Sequence, residues 1–196
     1  MNLALFDFDE TITHKDSFGP FLTLTVNPIQ KYFYIVKLSP YFIGYKLKYI
    51  TDRIFRTKLC HTAFKNYPKD KLIKIGNDFA IHYLNKIIRS NALEQIQWHL
   101  SQGDRVVVVS SSLDIYLKPW CQQYGLDLIC NELESTHDLY TGHLRHGDCG
   151  GIEKANRIQQ QYELTDYNKI YAYGDSPNDH AMLALADIKF YQWQQI

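Results

Sequence analysis

Three apolar runs in this chain end in clusters of acids, hydroxyls or glycine, and no other feature constrains the fold as strongly. Leu3-Ala4-Leu5-Phe6 leads into Asp7-Phe8-Asp9-Glu10-Thr11-Ile12. Val106-Val107-Val108-Val109 leads into Ser110-Ser111-Ser112, and Ile170-Tyr171-Ala172-Tyr173 into Gly174-Asp175-Ser176-Pro177-Asn178-Asp179. Short apolar runs without alternation read as strands buried on both faces, the mark of a parallel sheet covered by helices. Such open sheets bind ligands in the crevice outside the carboxyl ends of their strands. The polar clusters therefore fall where a site belongs.

The segments between the runs have helical periodicity. Residues 17–88 read as a long helical stretch, with Pro28 and Pro40 dividing its first half into short pieces. Beyond Pro68, Leu72, Ile75, Phe79, Tyr83 and Ile87 recur every three or four residues, as on an amphipathic helix. A helix over 91–101 stops at Gly103, and another stops at Gly125 after a kink or delay at Pro119. Leu128-Ile129-Cys130 reads as a short strand, 132–145 as a hairpin or flap, and Ile188-Lys189-Phe190 as a last strand. Gly150-Gly151 precedes a helix with Ile152, Ala155, Ile158 and Tyr162 on one face, and a final helix carries Met182 and Leu185. This order predicts an α/β fold: a Rossmann-like three-layer core with a parallel sheet (1–16 and 89–196) and an inserted α-helical cap (17–88).

Four cysteines without Cys-x-x-Cys spacing read as reduced thiols, and the N-terminus enters a strand with no leader-like pattern, so the expected location is cytoplasmic. The zero net charge conceals an asymmetry. Residues 17–66 carry eight Lys and Arg against Asp52 alone, a balance of +7 that the remainder offsets. A basic segment in an otherwise acidic protein suggests an anionic substrate or surface, or simply a solvated helix face.

Asp7 and Asp9 stand two apart where the first strand runs out, so both carboxylates aim into one small volume. Packing does not explain two adjacent anions; a bound cation or a shared reaction does. A calcium loop would need Gly at its sixth position and Glu at its twelfth, where this chain has Ile12 and Phe18. No Gly-x-x-x-x-Gly-Lys-Ser/Thr is present, which excludes a P-loop. His137, His143, His146 and Cys149 are possible zinc ligands, but their spacing matches no common structural site. Ser110–Ser112 could also supply the N-cap of the next helix.

Taken in order, Asp7-Phe8-Asp9-Glu10-Thr11, Val108-Val109-Ser110-Ser111, Lys154 after Gly150-Gly151, and Gly174-Asp175-Ser176-Pro177-Asn178-Asp179 resemble the haloacid dehalogenase superfamily of phosphohydrolases. Tyr140-Thr141-Gly142 and the helical insert fit its phosphoserine phosphatase-like branch. The resemblance implies a magnesium-dependent phosphatase acting on a small phosphorylated substrate rather than on nucleic acid. Asp7 would be the nucleophile, forming an aspartyl-phosphate, and Asp9 the general acid and base. Mg2+ would be held by Asp7, the backbone carbonyl of Asp9, and Asp175, with Asp179 and Asn178 orienting the metal shell. Ser110 and the Ser111 amide would hold phosphoryl oxygens, with Lys154 beside them. A carboxylate about 4 Å from a phosphate dianion is repelled by about 8 kcal/mol at an effective dielectric near 20, so such cations are physically required.

The insert departs from the branch at the substrate end. An acid nine residues after the nucleophile meets the substrate ammonium in phosphoserine phosphatases; here it is Asp16, shorter than the usual Glu. The cap arginine that grips the substrate carboxylate has only loose counterparts in Arg53 and Arg56. Aromatics crowd residues 18–50 and mix with lysines, which suits either a tightly glued cap or one that rests on an anionic membrane. A lipid-phosphate phosphatase, of the phosphatidylglycerophosphate type, is therefore an alternative. An inactive module that binds a phosphorylated ligand is another, although a binder has no need of Asp9.

Overall fold

The computed structural model describes residues 1–196, except for the side chains of residues 28–31. Strand β1 (Leu3–Phe6) opens the chain and is followed by a tight turn over Phe8–Ile12. The excursion that follows comprises α1 (Phe18–Thr25), α2 (Pro28–Lys46), α3 (Asp52–Phe64), the two-residue β2 (Tyr67–Pro68) and α4 (Lys69–Phe79). A π-helical turn (Ala80–Leu84) and the short α5 (Asn85–Ile87) complete it. The segments that leave and re-enter the core meet at the Thr13–Ile88 bridge. The remainder runs α6 (Ser90–Ser101), β3 (Arg105–Leu113), α7 (Asp114–Tyr124), β4 (Asp127–Asn131), β5 (Leu133–Thr136), β6 (Leu139–Leu144) and α8 (Ile152–Gln161). It ends with β7 (Ile170–Gly174), the short α9 (His180–Leu183), β8 (Ile188–Tyr191) and β9 (Gln194–Gln195).

The main sheet has the order β4-β3-β1-β7-β8-β9, parallel except for β9. Its central strand sorts side chains by parity, as a pleated strand must. Ala4 and Phe6, with Val106 and Val108, face a cluster that includes residues of α4, α6 and α7. Leu3 and Leu5, with Val107 and Val109, face one that includes residues of α8 and α9. Helices on both faces of a parallel sheet give the expected three-layer, Rossmann-like α/β fold.

Local chemistry explains where elements depart from expectation. Pro40 does not divide α2, which runs on through it. The amide that Pro40 lacks would have served the Val36 carbonyl four residues back, and the Ser39 hydroxyl donates to that carbonyl instead, at 2.8 Å. Pro119 likewise sits inside α7 and leaves the Ile115 carbonyl without a helical donor. Gly76 of α4 packs there: a Cβ at residue 76 would lie 2.4 Å from the Ile115 oxygen. Ile152 was expected on the inner face of α8 but is 63% exposed, because the buried side of that helix turns on Lys154, Ala155 and Ile158.

The 132–145 segment is a hairpin, as its sequence suggests, but it does not stand free. β6 also pairs with β2, giving a three-stranded sheet β2-β6-β5 that ties the hairpin to the helical insert. Gly142, at φ +80°, makes this possible, since a Cβ there would meet the His61 Cα of α3 at 2.9 Å.

Candidate active site

The strand register brings the polar clusters together. Phe6 of β1 pairs with Val108 on one side and Tyr173 on the other, so Asp7, Ser110 and Asp175 all fall just past the same sheet edge. The Asp7 amide donates to the Tyr173 carbonyl at 2.9 Å, fixing the start of the loop. Glu10 takes a left-handed conformation (φ +63°), and the Glu10 amide donates to the Thr13 hydroxyl at 3.0 Å. This closes the turn that carries Asp9.

Lys154 is the organising charge. It is 1% exposed, and its Nζ donates to Asp7 at 2.5 Å and to Asp179 at 2.7 Å. A lysine one turn into a helix is ordinarily solvated; this one, in the first turn of α8 after Gly151, lies on the helix's buried side with Ala155 and Ile158. Carboxylate oxygens of Asp7, Asp175 and Asp179 lie within 4.8 Å of one another. Three carboxylates against one ammonium leave a formal charge of −2 in a buried oxygen-lined pocket, which is the donor set and charge that suit a divalent cation.

The protonation tendencies express this imbalance. Burial pushes the Asp7 carboxyl up to about 8, despite the opposing Lys154. Burial also raises Asp175, with Asp179 adding to the effect. For Asp179 burial acts upward too, but the Lys154 ammonium and the amides of Ser176 and Asp175 hold it below the usual carboxylate range. Asp179 accepts from those two amides at 3.0 and 3.2 Å and from the Ser176 hydroxyl at 3.0 Å, so it braces the β7 loop as well as facing the cluster.

Asp9 stands apart from the cation cluster, with its side chain turned toward the insert. It accepts from the Ser17 amide at 2.6 Å and from the Ser112 hydroxyl. Burial and the nearby charge of Asp16 raise its pKa, against these hydrogen bonds. Of the metal ligands expected, the side chains of Asp7, Asp175 and Asp179 are brought together; Asp9 was expected to offer its backbone carbonyl, and its side chain is turned away from the cluster.

The serines correct one expectation. β3 does not stop at Val109 but continues through them to Leu113, and the following helix begins without a side-chain N-cap. Between the pairs Val109–Ile129 and Leu113–Asn131, Ser110, Ser111 and Ser112 oppose Cys130 alone. That bulge aims the three hydroxyls differently. Ser110 is buried, and its Oγ accepts from the Ser112 amide at 3.0 Å; Ser112 binds Asp9; Ser111 opens onto a cleft.

The cleft, about 160 Å³, lies between the first turn of α3 and the core. Arg53 and Arg56 line one wall; Ser111, Gly150, Gly151 and Asn178 line the other. Asp148, unremarked in the sequence, lies on its floor: it accepts from Asn131 Nδ2 at 2.8 Å and faces Arg56 Nε at 3.7 Å. Arg56 also stacks over the Phe18 ring at 4.7 Å, and its Nη1 is buried without a hydrogen-bond partner. Asp16 does not line this cleft. It is exposed, and its carboxylate accepts from the Gly19 amide at 2.8 Å at the start of α1.

Sequence reading also missed the C-terminal turn. Gln192 Nε2 donates to the Asp175 carbonyl and Trp193 Nε1 to the Thr11 carbonyl, both at 3.1 Å, and the Thr11 hydroxyl reaches Asp175 Oδ1 at 3.2 Å. A tail Trp gives no local signal of such a contact. The suggested zinc ligands do not assemble: Asp7, Asp175 and Asp179 are the one group of three or more possible metal-binding side chains among the described residues, and His143 packs instead against His61.

Comparison with known proteins agrees with this geometry. The family model for haloacid dehalogenase-like hydrolases matches residues 4–184. Protein CicA of Caulobacter vibrioides is 32% identical over 196 residues, covering 97% of this chain and 85% of that protein. A histidinol-phosphatase of Neisseria meningitidis is 26% identical over 194 residues, covering 94% and 86%. A substrate-bound phosphoserine phosphatase superposes with a TM-score of 0.67 at 21% identity, covering 97% of this chain and 85% of that one, a likeness of fold. With the four motifs in place around one sheet edge, the chain belongs to the haloacid dehalogenase-like hydrolases.

Proposed function

We propose that this protein hydrolyses a small phosphomonoester through an aspartyl-phosphate on Asp7 and depends on Mg2+. The observation that carries the reading is the Lys154 ammonium held between Asp7 and Asp179 in a pocket that retains a charge of −2. Asp7, Asp175, Asp179 and the Asp9 carbonyl would hold the cation. Bound there, Mg2+ supplies positive charge that offsets the repulsion between the Asp7 carboxylate and the substrate phosphate.

The side chains then divide the work. Lys154 fixes the Asp7 carboxylate and adds a positive charge beside the transferring phosphoryl group. Ser110, and the amide of Ser111 at the cleft, hold phosphoryl oxygens, with Asn178 opposite. Asp7 attacks phosphorus, and the bond to the leaving alkoxide breaks as Asp9 gives that oxygen its proton. Asp9 then takes a proton from water; the water oxygen bonds to phosphorus and the Asp7–phosphorus bond breaks, restoring both carboxyls. Burial helps keep Asp9 protonated for the first step. An inactive phospho-ligand binder would gain nothing from that.

Arg53 and Arg56 give the cleft a second cationic wall, and the free Nη1 of Arg56 favours a substrate with an anionic group besides its phosphate. That separates a phosphoserine-like ester, which carries a carboxylate, from histidinol phosphate, which does not. A lipid phosphate is a second reading, favoured by an almost wholly apolar cavity of about 420 Å³ between α1, α2 and α3. Among the described residues no helix is long and apolar enough to cross a membrane, and the four free, buried cysteines suit a reducing, cytoplasmic setting. Asp9→Asn tests the assignment: turnover of an aryl phosphate with Mg2+ should fall by about 10²–10⁴, with binding of inorganic phosphate kept. Full activity in the variant would remove Asp9 from the mechanism.

A further inference from the structure

We propose that the outer face of α2 is a docking surface for an anionic lipid bilayer. This helix is apolar on two sides. Its inner side, with Tyr34, Leu38 and Phe42, lines the cavity shared with α1 and α3. At about 100° per residue, Tyr32, Phe33, Val36, Pro40 and Ile43, with Leu47 in the turn beyond, fall within an outer arc of about 100°. All six are exposed; the five other than Pro40 are 57–69% exposed. A helix apolar all round is ordinarily buried. In this chain the outer arc has solvent where a partner belongs, and so continuous an exposed patch marks an interaction site.

Charge identifies the occupant. Lys37 flanks the arc on one side and Lys46 on the other, each about 40° beyond its edge by the same helical angle. Lys48 and Tyr49 follow, both exposed. No Asp or Glu occurs between Asp16 and Asp52. An apolar stripe with a lysine on each side is the arrangement of a helix lying in the headgroup plane, apolar atoms inward and ammonium groups at the phosphates. A second copy of the chain fits less well, because opposing arcs would bring both sets of lysines together. The helix ends at Lys46 and cannot span a bilayer, so it rests on the surface. Docking does not depend on which ester the active site cleaves.

The test is flotation of the full-length protein with vesicles of phosphatidylcholine alone and with phosphatidylglycerol added, at low and at about 0.5 M salt. Two variants accompany it, Val36→Ser/Ile43→Ser and Lys37→Glu/Lys46→Glu, both confined to exposed positions and checked by thermal melting. Binding should require the anionic lipid, weaken with salt, and fall about tenfold or more in each variant. Failure of the wild-type protein to float with anionic vesicles at low salt overturns the proposal. So does binding at the wild-type level by both variants. A dimer that the serine variant dissociates, with no vesicle binding, would assign the face to a second copy instead.

Discussion

Replacing Lys154 with Met keeps the length of the side chain and removes the charge that balances the site. The ammonium lies 2.5 Å from Asp7 and 2.7 Å from Asp179. At an effective dielectric near 20 each contact is worth about 6 kcal/mol of attraction before desolvation is counted. Most of that is offset by the cost of burying the charges, and removing one partner of a buried pair typically costs about 3–5 kcal/mol. Protonation softens the loss, because Asp7 already sits at about 8 with Lys154 present and takes up a proton more readily without it. Asp179, held low mainly by Lys154, has no such margin. The net expectation is a destabilisation of about 3 kcal/mol, or a fall in Tm of about 6–12 °C for a chain of this size. With all three carboxylates ionised, as a bound cation requires, the formal charge of the pocket goes from −2 to −3, so Mg2+ should raise the Tm of the variant by more than it raises that of the wild type, while turnover is lost. Differential scanning fluorimetry across a Mg2+ titration reads both effects. An unchanged Tm and an unchanged Mg2+ response would refute Lys154 as the compensating charge.

Other expectations follow from particular contacts. Gly76→Ala should destabilise the protein by about 1–3 kcal/mol in urea melts, because the added methyl group meets the Ile115 carbonyl at 2.4 Å. His99 Nδ1 and Asp104 Oδ2 share a hydrogen bond at 2.9 Å, and burial holds His99 below its ordinary 6.5 while Asp104 opposes it. The fold therefore favours neutral His99, and stability should fall as pH drops below about 6.5, where the unfolded chain takes the proton first. Asp104, lowered by His99 and the Asn2 amide in spite of burial, acts in the same direction below its ordinary 3.8. In His99→Gln the slope between pH 6.5 and 5 should flatten; an unchanged slope would place the titration elsewhere. Trp193→Phe should keep the ring against Tyr173 and lose the bond to Thr11, weakening Mg2+ binding measured by calorimetry more than it lowers Tm. Equal loss of both would make Trp193 a packing residue only.

The parts legible in the sequence are those encoded locally. The Leu3–Phe6 and Val106–Val109 runs signal buried strands because burial on both faces removes alternation, and the acids past the strand ends signal a site because a parallel sheet has one ligand edge. Most of what was missed depends on contacts far apart in the chain. The extension of β3 through three serines relies on a bulge against Cys130 that no local propensity announces. Asp148 and Asn131 gain meaning only when α3 brings Arg56 over them. Pro40 reads as a breaker until the Ser39 hydroxyl is seen serving the carbonyl that proline leaves bare. The cap aromatics divide in two: Phe18 and Phe21 are buried glue, whereas Tyr32, Phe33 and Tyr49 face outward, a distinction that a continuous apolar stretch cannot reveal.

The central claim is that Asp7 becomes phosphorylated. Acid-quenching the enzyme during turnover of an aryl phosphate with Mg2+, followed by mass analysis of its peptides, should place one phosphoryl group on the peptide containing Asp7. Hydroxylamine should remove the group, and Asp7→Asn should abolish it. Steady turnover with no phosphorylated peptide, or with the group on another residue, would contradict the account.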